Sequence, residues 1–300
     1  MKFLKLFGIL GLSGMLLGLA GCRQARSQNT PSDKLSVVTT TNFYGEVAKA
    51  VGGKRVQVKA VIKSPTVDPH DYEPTSKVAT QVAQADIVVA NGLGYDNWMA
   101  KLVKNAPKAK FVQVGEDVMG KQVGVNEHLW YDPTTMPKLA IALAKQYGQA
   151  QPKHKAYFQK RAQAYIATLK PIQQELTQLR QRADQLTHCQ VLVSEPVFDD
   201  ALTAMGFKVS NVAFENAIEK GTDPSPQVIK TMQKDLKTHQ VAFFVQNKQV
   251  TDHLVTAMVD LAKKQNVPVL QVTETMPAHQ NYRQWMLSQY RQLNQLLTTK

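Results

Sequence analysis

The chain has 300 residues, 43% of them hydrophobic and 20% charged, a balance that excludes a wholly disordered protein and leaves enough apolar residues for a sizeable core. Two cysteines exclude a disulfide framework. The formal charge of +13 comes from basic residues dispersed along the chain, with no Arg-rich stripe, so a nucleic-acid partner is not expected and a basic surface near anionic lipid accounts for the charge.

Residues 1–21 read as a signal peptide: Lys2 and Lys5 make a basic start, and Leu6 to Ala20 are nearly all apolar or glycine. A spanning helix needs about 20 apolar residues, so the run suits an export signal better. It ends at Leu19-Ala20-Gly21-Cys22, which resembles a bacterial lipobox. Cys22 is then expected to be the lipidated first residue of the mature chain, held outside the cell membrane by its acyl chains. Residues 22–34 are polar and aperiodic, a flexible tether.

The remainder exceeds what one core usually serves, so two lobes are expected, residues 35–150 and 188–300, joined by a backbone helix over 151–187. The first lobe alternates strands (Leu35 to Thr41, Val56 to Ile62, Asp86 to Ala90, Lys110 to Val114) with helices (Phe43 to Val51, Ser76 to Ala85, Tyr95 to Asn105, Thr134 to Tyr147). Such alternation implies right-handed crossovers and a parallel sheet, an α/β fold. Pro152 to about Ala183 has apolar residues at helical spacing, with Pro171 inside it as a kink. The second lobe repeats the alternation: strands Gln190 to Ser194, Lys208 to Phe214, Val241 to Val245 and Val267 to Val272, and helices Phe198 to Met205, one starting at Ser225-Pro226, Thr251 to Gln265, and about His279 to Leu297.

Chemistry concentrates at strand ends. Asp68-Pro69-His70-Asp71-Tyr72-Glu73-Pro74 follows the second strand, and two prolines stiffen the turn that presents His70. Asn126-Glu127-His128-Leu129-Trp130-Tyr131-Asp132-Pro133 follows the fourth, again closed by proline. Open α/β sheets bind ligands at the carboxyl ends of their strands, so both imidazoles belong to one edge. Two imidazoles are an incomplete set, since a divalent ion takes four or more donors. In the second lobe Glu195 and Glu274 follow the first and last strands and would converge on the histidines if the lobes face each other, although acids at strand ends also serve as helix caps. His154, His239, His253 and His279 read as solvated. The adjacent His188 and Cys189 alternate faces in a strand and would not converge, so Cys189 reads as a buried structural thiol.

These motifs resemble those of the solute-binding lipoproteins of bacterial zinc and manganese ATP-binding-cassette (ABC) importers, over the whole mature chain. Asp68 to Pro74 is similar to that family's first histidine motif and His128 to Pro133 to its second, except that Glu127 stands where the family usually has proline. The resemblance implies two lobes joined by a rigid backbone helix, one ion between them on His70, His128, Glu195 and Glu274, and delivery to an ABC permease and its ATPase by a monomer that is not an enzyme. Two departures from that family stand out: this chain has no histidine-rich acidic loop of the kind many zinc-specific members carry, and its third ligand is expected to be Glu instead of His. Two imidazoles and two carboxylates suit Mn²⁺, while Zn²⁺ binds the same donors more tightly by intrinsic order. Both histidines must be neutral to bind, so affinity is expected to fall below about pH 6. The rival reading is a metallohydrolase using the same cluster, but no HExxH or carboxylate-bridged two-metal pattern is present. A surface adhesin is a third.

Overall fold

The computed structural model describes residues 34–298. Cys22, the export signal and most of the expected tether lie outside the described residues. Two parallel four-stranded sheets form the framework, each flanked by helices. In the first, β1 (Leu35–Thr41), β2 (Val56–Ile62), β3 (Ile87–Ala90) and β4 (Lys110–Gln113) lie in the order β2-β1-β3-β4. In the second, β5 (Gln190–Val193), β6 (Lys208–Val209), β7 (Phe244–Asn247) and β8 (Val269–Val272) repeat that order as β6-β5-β7-β8. The central strands β3 and β5 are almost wholly buried, as continuous Val, Ile and Leu runs between helix layers must be.

The helices of the first half are α1 (Asn42–Gly52), α2 (Ser76–Ala83), α3 (Asn97–Val103) and α4 (Thr135–Ala150). Then come α5 (Lys155–Thr168) and α6 (Lys170–Ala183), separated only by Leu169, whose angles (φ −87°, ψ −5°) remain right-handed. Pro171 has no N–H to offer Ala167, and its ring crowds that carbonyl, so the helical ladder is interrupted here without the chain reversing. In the second half α7 (Asp199–Ala204), α8 (Val212–Glu219), α9 (Pro226–Lys237) and α10 (His253–Lys264) surround the sheet, and α11 (Tyr282–Thr298) closes the chain. Ser225 and Asp252 cap α9 and α10 through their side chains.

One expectation fails instructively. Lys208 to Phe214 is not a strand: pairing stops after Val209, and Val212 already begins α8. At the next inward position Asn211 substitutes its side chain for a ladder partner, donating Nδ2–H to the Val193 carbonyl at 2.7 Å and accepting the Val193 N–H at 3.0 Å. Its own carbonyl accepts the N–H groups of Phe214 (2.8 Å) and Glu215 (3.2 Å), which starts the helix. The strand expected at Val241 to Val245 is likewise displaced, running Phe244–Asn247.

The main apolar core is continuous across both lobes. It joins Val37 and Val89 of the first sheet to Val193 and Val272 of the second through Trp130, Tyr131, Leu176, Trp285 and Tyr290, all buried. Hydrogen bonds cross with it: Tyr131 donates its hydroxyl to the Thr273 carbonyl (2.6 Å) with Gln289 Oε1 2.9 Å away, and Tyr282 donates to the Trp130 carbonyl (2.7 Å). The Pro65 carbonyl accepts from Thr275 Oγ1 (2.9 Å) and from Gln249 Nε2.

Candidate metal centre

His70 sits on a turn fixed by its neighbours. Asp68 Oδ1 accepts the His70 N–H at 2.8 Å, the Pro69 carbonyl accepts Trp98 Nε1–H at 3.1 Å, and Tyr72 packs on the Trp98 ring at 4.8 Å. The imidazole then stands edge-on to Tyr95, with 4.8 Å between centroids. Proline stiffness, an Asx turn and two aromatic anchors thus hold one exposed histidine at the carboxyl edge of the first sheet.

His128 is more constrained. It is buried, its ring lying 5.3 Å from Trp130. Asn126 donates Nδ2–H to the Pro196 carbonyl across the cleft (2.6 Å), which turns its Oδ1 toward His128. That oxygen accepts the His128 backbone N–H at 2.9 Å and lies 2.8 Å from Nδ1. Nδ1 therefore carries the proton, and the lone pair is on Nε2, a buried atom with no hydrogen-bond partner. Burial, and secondarily His70, push His128 down to about 3, so it stays neutral across the physiological range. The pH sensitivity expected near 6 does not apply to this histidine.

Glu274 reaches the same point from the other lobe, in the loop after β8, with Tyr95 Oη–H donating to its Oε1 at 3.1 Å. Single ligand atoms of His70, His128 and Glu274 all lie within 4.8 Å of one another. Glu195, directly after Ser194 at the end of β5, is on the cleft wall but outside that triad; its Oε2 accepts Asn247 Nδ2–H at 2.9 Å. Three of the four residues expected from sequence are thus brought together, and the fourth faces them.

Sequence reasoning missed Glu219 and did not consider Glu127 as a donor. Glu219, at the end of α8, places Oε1 3.7 Å from His70 Nε2 and 3.9 Å from His128 Nε2. Glu127 Oε1 lies 3.9 Å from His70 Nε2, and His70, Glu127 and Glu219 form a second triad within 4.8 Å. Reading Lys208 to Phe214 as a strand hid α8 and therefore Glu219; the i, i+4 spacing of Glu215 and Glu219 was the available signal.

The cleft measures about 970 Å³ and adjoins a space of about 400 Å³, with Asp68 and Glu195 lining both. Crowded acids resist ionisation there. Burial first, then the charges of Glu195, Glu274, Glu127 and Asp68, push Glu219 up to about 9. Burial, with Asp68 and Glu195, pushes Glu274 up to about 8 against the opposing Tyr95 hydrogen bond. Burial also raises Glu195, opposed by Asn247. The buried His128 lone pair among acids that repel one another is an arrangement suited to a cation.

The remaining histidines are elsewhere: His188, His239, His253 and His279 are exposed and His154 is half-buried. Cys189 is half-buried, its Sγ 3.2 Å from the Ala183 carbonyl, packed against the main apolar core.

A family model described as zinc-uptake complex component A, periplasmic, matches residues 37–296. The chain is 28% identical over 283 residues to the manganese ABC transporter substrate-binding lipoprotein PsaA of Streptococcus pneumoniae, covering 88% of each chain. It is 28% identical over 250 residues to the iron ABC transporter substrate-binding lipoprotein MtsA of Streptococcus pyogenes, covering 78% of each. Among solved structures, the Mn-bound periplasmic metal binding protein of Candidatus Liberibacter asiaticus superposes with a TM-score of 0.70 at 17% identity, covering 88% of this chain and 100% of that one. A mutant of the laminin-binding adhesin Lmb of Streptococcus agalactiae gives a TM-score of 0.70 at 21% identity, covering 88% and 99%.

Proposed function

The chain belongs to the zinc-uptake complex component A family, and from that premise we propose that it captures one transition-metal ion in the inter-lobe cleft and delivers it to an ABC permease and its ATPase. It works outside the cell membrane, anchored through lipid on Cys22. His70, His128, Glu195 and Glu274 hold the ion. One observation carries the reading. The Nε2 lone pair of His128 is buried, unpartnered and fixed in its tautomer by Asn126, beside His70 and Glu274. A buried acceptor left without a partner is costly, and a metal ion satisfies it.

Mn²⁺ is the cargo this donor set suits best. Carboxylates outnumber imidazoles in the cleft, and bidentate carboxylates raise the coordination number beyond what tetrahedral Zn²⁺ asks. Binding sheds protons from Glu274 and neutralises the acids that repel one another in the empty cleft. Wide lobe opening would break the shared core around Trp130, Tyr131 and Trp285, so release proceeds by side-chain and loop movement.

The test is metal content. Stripped protein offered equal Mn²⁺ and Zn²⁺ should retain one ion per chain by mass spectrometry, with retention lost in His70→Ala, His128→Ala and Glu274→Ala and weakened in Glu195→Ala. Retention indifferent to all four changes would end this reading.

A further inference from the structure

The cleft holds more donors than one ion uses, and they fall into two triads sharing His70. One adds His128 and Glu274; the other adds Glu127 and Glu219. The triads differ in exposure. The side chains of His70, Glu127 and Glu219 are 32%, 22% and 18% exposed, whereas His128 is 1% exposed. An arriving ion therefore meets the second triad first.

The separations fit a ligand set. Donors about 2.1 Å from a metal stand about 3.0–3.4 Å apart when adjacent and up to about 4.2 Å when opposite. Glu219 Oε1 is 3.7 Å from His70 Nε2 and 3.9 Å from His128 Nε2, and Glu127 Oε1 is 3.9 Å from His70 Nε2. Glu219 alone of the outer carboxylates reaches toward both histidines. The buried, unpartnered His128 Nε2 marks the direction in which an ion moves on.

Charge explains why an outer position is useful. The formal charge of the whole chain, +13, disfavours the approach of a cation, so capture depends on donor atoms gathered at the mouth of the cleft. A hydrated ion also loses water stepwise, and two carboxylates with one imidazole can replace part of its shell before the buried histidine is reached.

We propose that His70, Glu127 and Glu219 form a receiving station for the incoming divalent cation, and that Glu219 passes the ion inward to His70, His128 and Glu274. This rests on the capture reading above. Because both stations use His70, they fill in turn, and occupancy stays at one ion per chain.

The test is stopped-flow binding of Mn²⁺ alone to the metal-free protein, followed by tryptophan fluorescence, with titrations giving the affinity. Glu127→Gln and Glu219→Gln keep side-chain shape and remove the carboxyl group as a donor. Each should slow association by about tenfold or more, the size of effect that groups supporting a metal site carry, with the dissociation rate also reduced and stoichiometry unchanged. Slowed association with a smaller loss of affinity supports the proposal. Association within twofold of the unaltered protein overturns it, whether affinity is unchanged, making these acids bystanders, or lost through faster dissociation, making them ordinary inner ligands. His128→Ala and Glu274→Ala run beside them. If those two retain tight Mn²⁺ binding, the capture reading fails, and that result is distinct from failure of the receiving station alone.

Discussion

Asn126 gives the sharpest test of how the centre is organised. Its Nδ2 donates to the Pro196 carbonyl at 2.6 Å, and its Oδ1 accepts from the His128 N–H at 2.9 Å and faces Nδ1 at 2.8 Å. Asn126→Ala removes all three contacts, and at about 1 kcal/mol each the expected loss of stability is about 2–4 kcal/mol once orphaned groups are included. It also frees His128 to turn or to change tautomer. Partners that orient a ligating histidine are worth about 10–100-fold in affinity, or about 1.4–2.7 kcal/mol. Asn126→Asp separates the two effects: the acceptor facing Nδ1 remains, while the donor to Pro196 is lost. Calorimetric titration with Mn²⁺ and thermal melting would be run on both. The expected pattern is weak binding in Asn126→Ala, near-normal binding in Asn126→Asp, and lowered stability in both. Near-normal binding by a folded Asn126→Ala would refute the orienting role.

The metal-free protein should lose stability as pH rises. Glu274 and Glu219 stand at about 8 and about 9 in the fold against an ordinary 4.5, so their contribution is fully present below about 4.5 and disappears as pH climbs through 8 to 9. Melting at pH 8.5 should fall about 5 °C or more below that at pH 5.5, and saturating Mn²⁺ should reverse the loss; equal melting temperatures without metal would contradict it. Glu274→Gln keeps an acceptor for Tyr95 and removes a repelled charge, so the metal-free melting temperature at pH 8.5 should rise while the rise on adding Mn²⁺ disappears. Asn211→Ala should cost about 2–4 kcal/mol in denaturant unfolding, because the Val193 N–H and carbonyl lose their partner; a change under 1 kcal/mol would show that water replaces it.

His70 and His128 were legible because proline, a short polar turn and a preceding apolar strand are local signals. Glu195 and Glu274 were placed at strand ends through the alternation of elements, which does not fix side-chain direction; the hydrogen bond from Asn247 that holds Glu195 on the wall joins residues 52 positions apart and leaves no mark in sequence. Asn211 misled for a related reason. Val209, Val212 and Phe214 carry apolar character compatible with a strand, and only the tertiary bonds to Val193 turn the chain into α8. Glu219 became invisible with it. Pro171 was legible as a helix irregularity, and the structure limits its effect to Leu169.

The repeated strand order has a consequence for ion choice. His70 and His128 follow β2 and β4, and Glu195 and Glu274 follow β5 and β8, so each sheet carries two of the proposed donors as fixed fittings on one plate. A slight shift of one plate against the other changes two donor distances together and leaves the distances within each plate alone. The spacing between plates is set by the aromatic residues wedged behind them, Trp130, Tyr131 and Trp285. On the proposed ligand set, discrimination between ions of different radius would be partly written in the packing behind the cleft, where residues that never touch the cargo would act as its gauge.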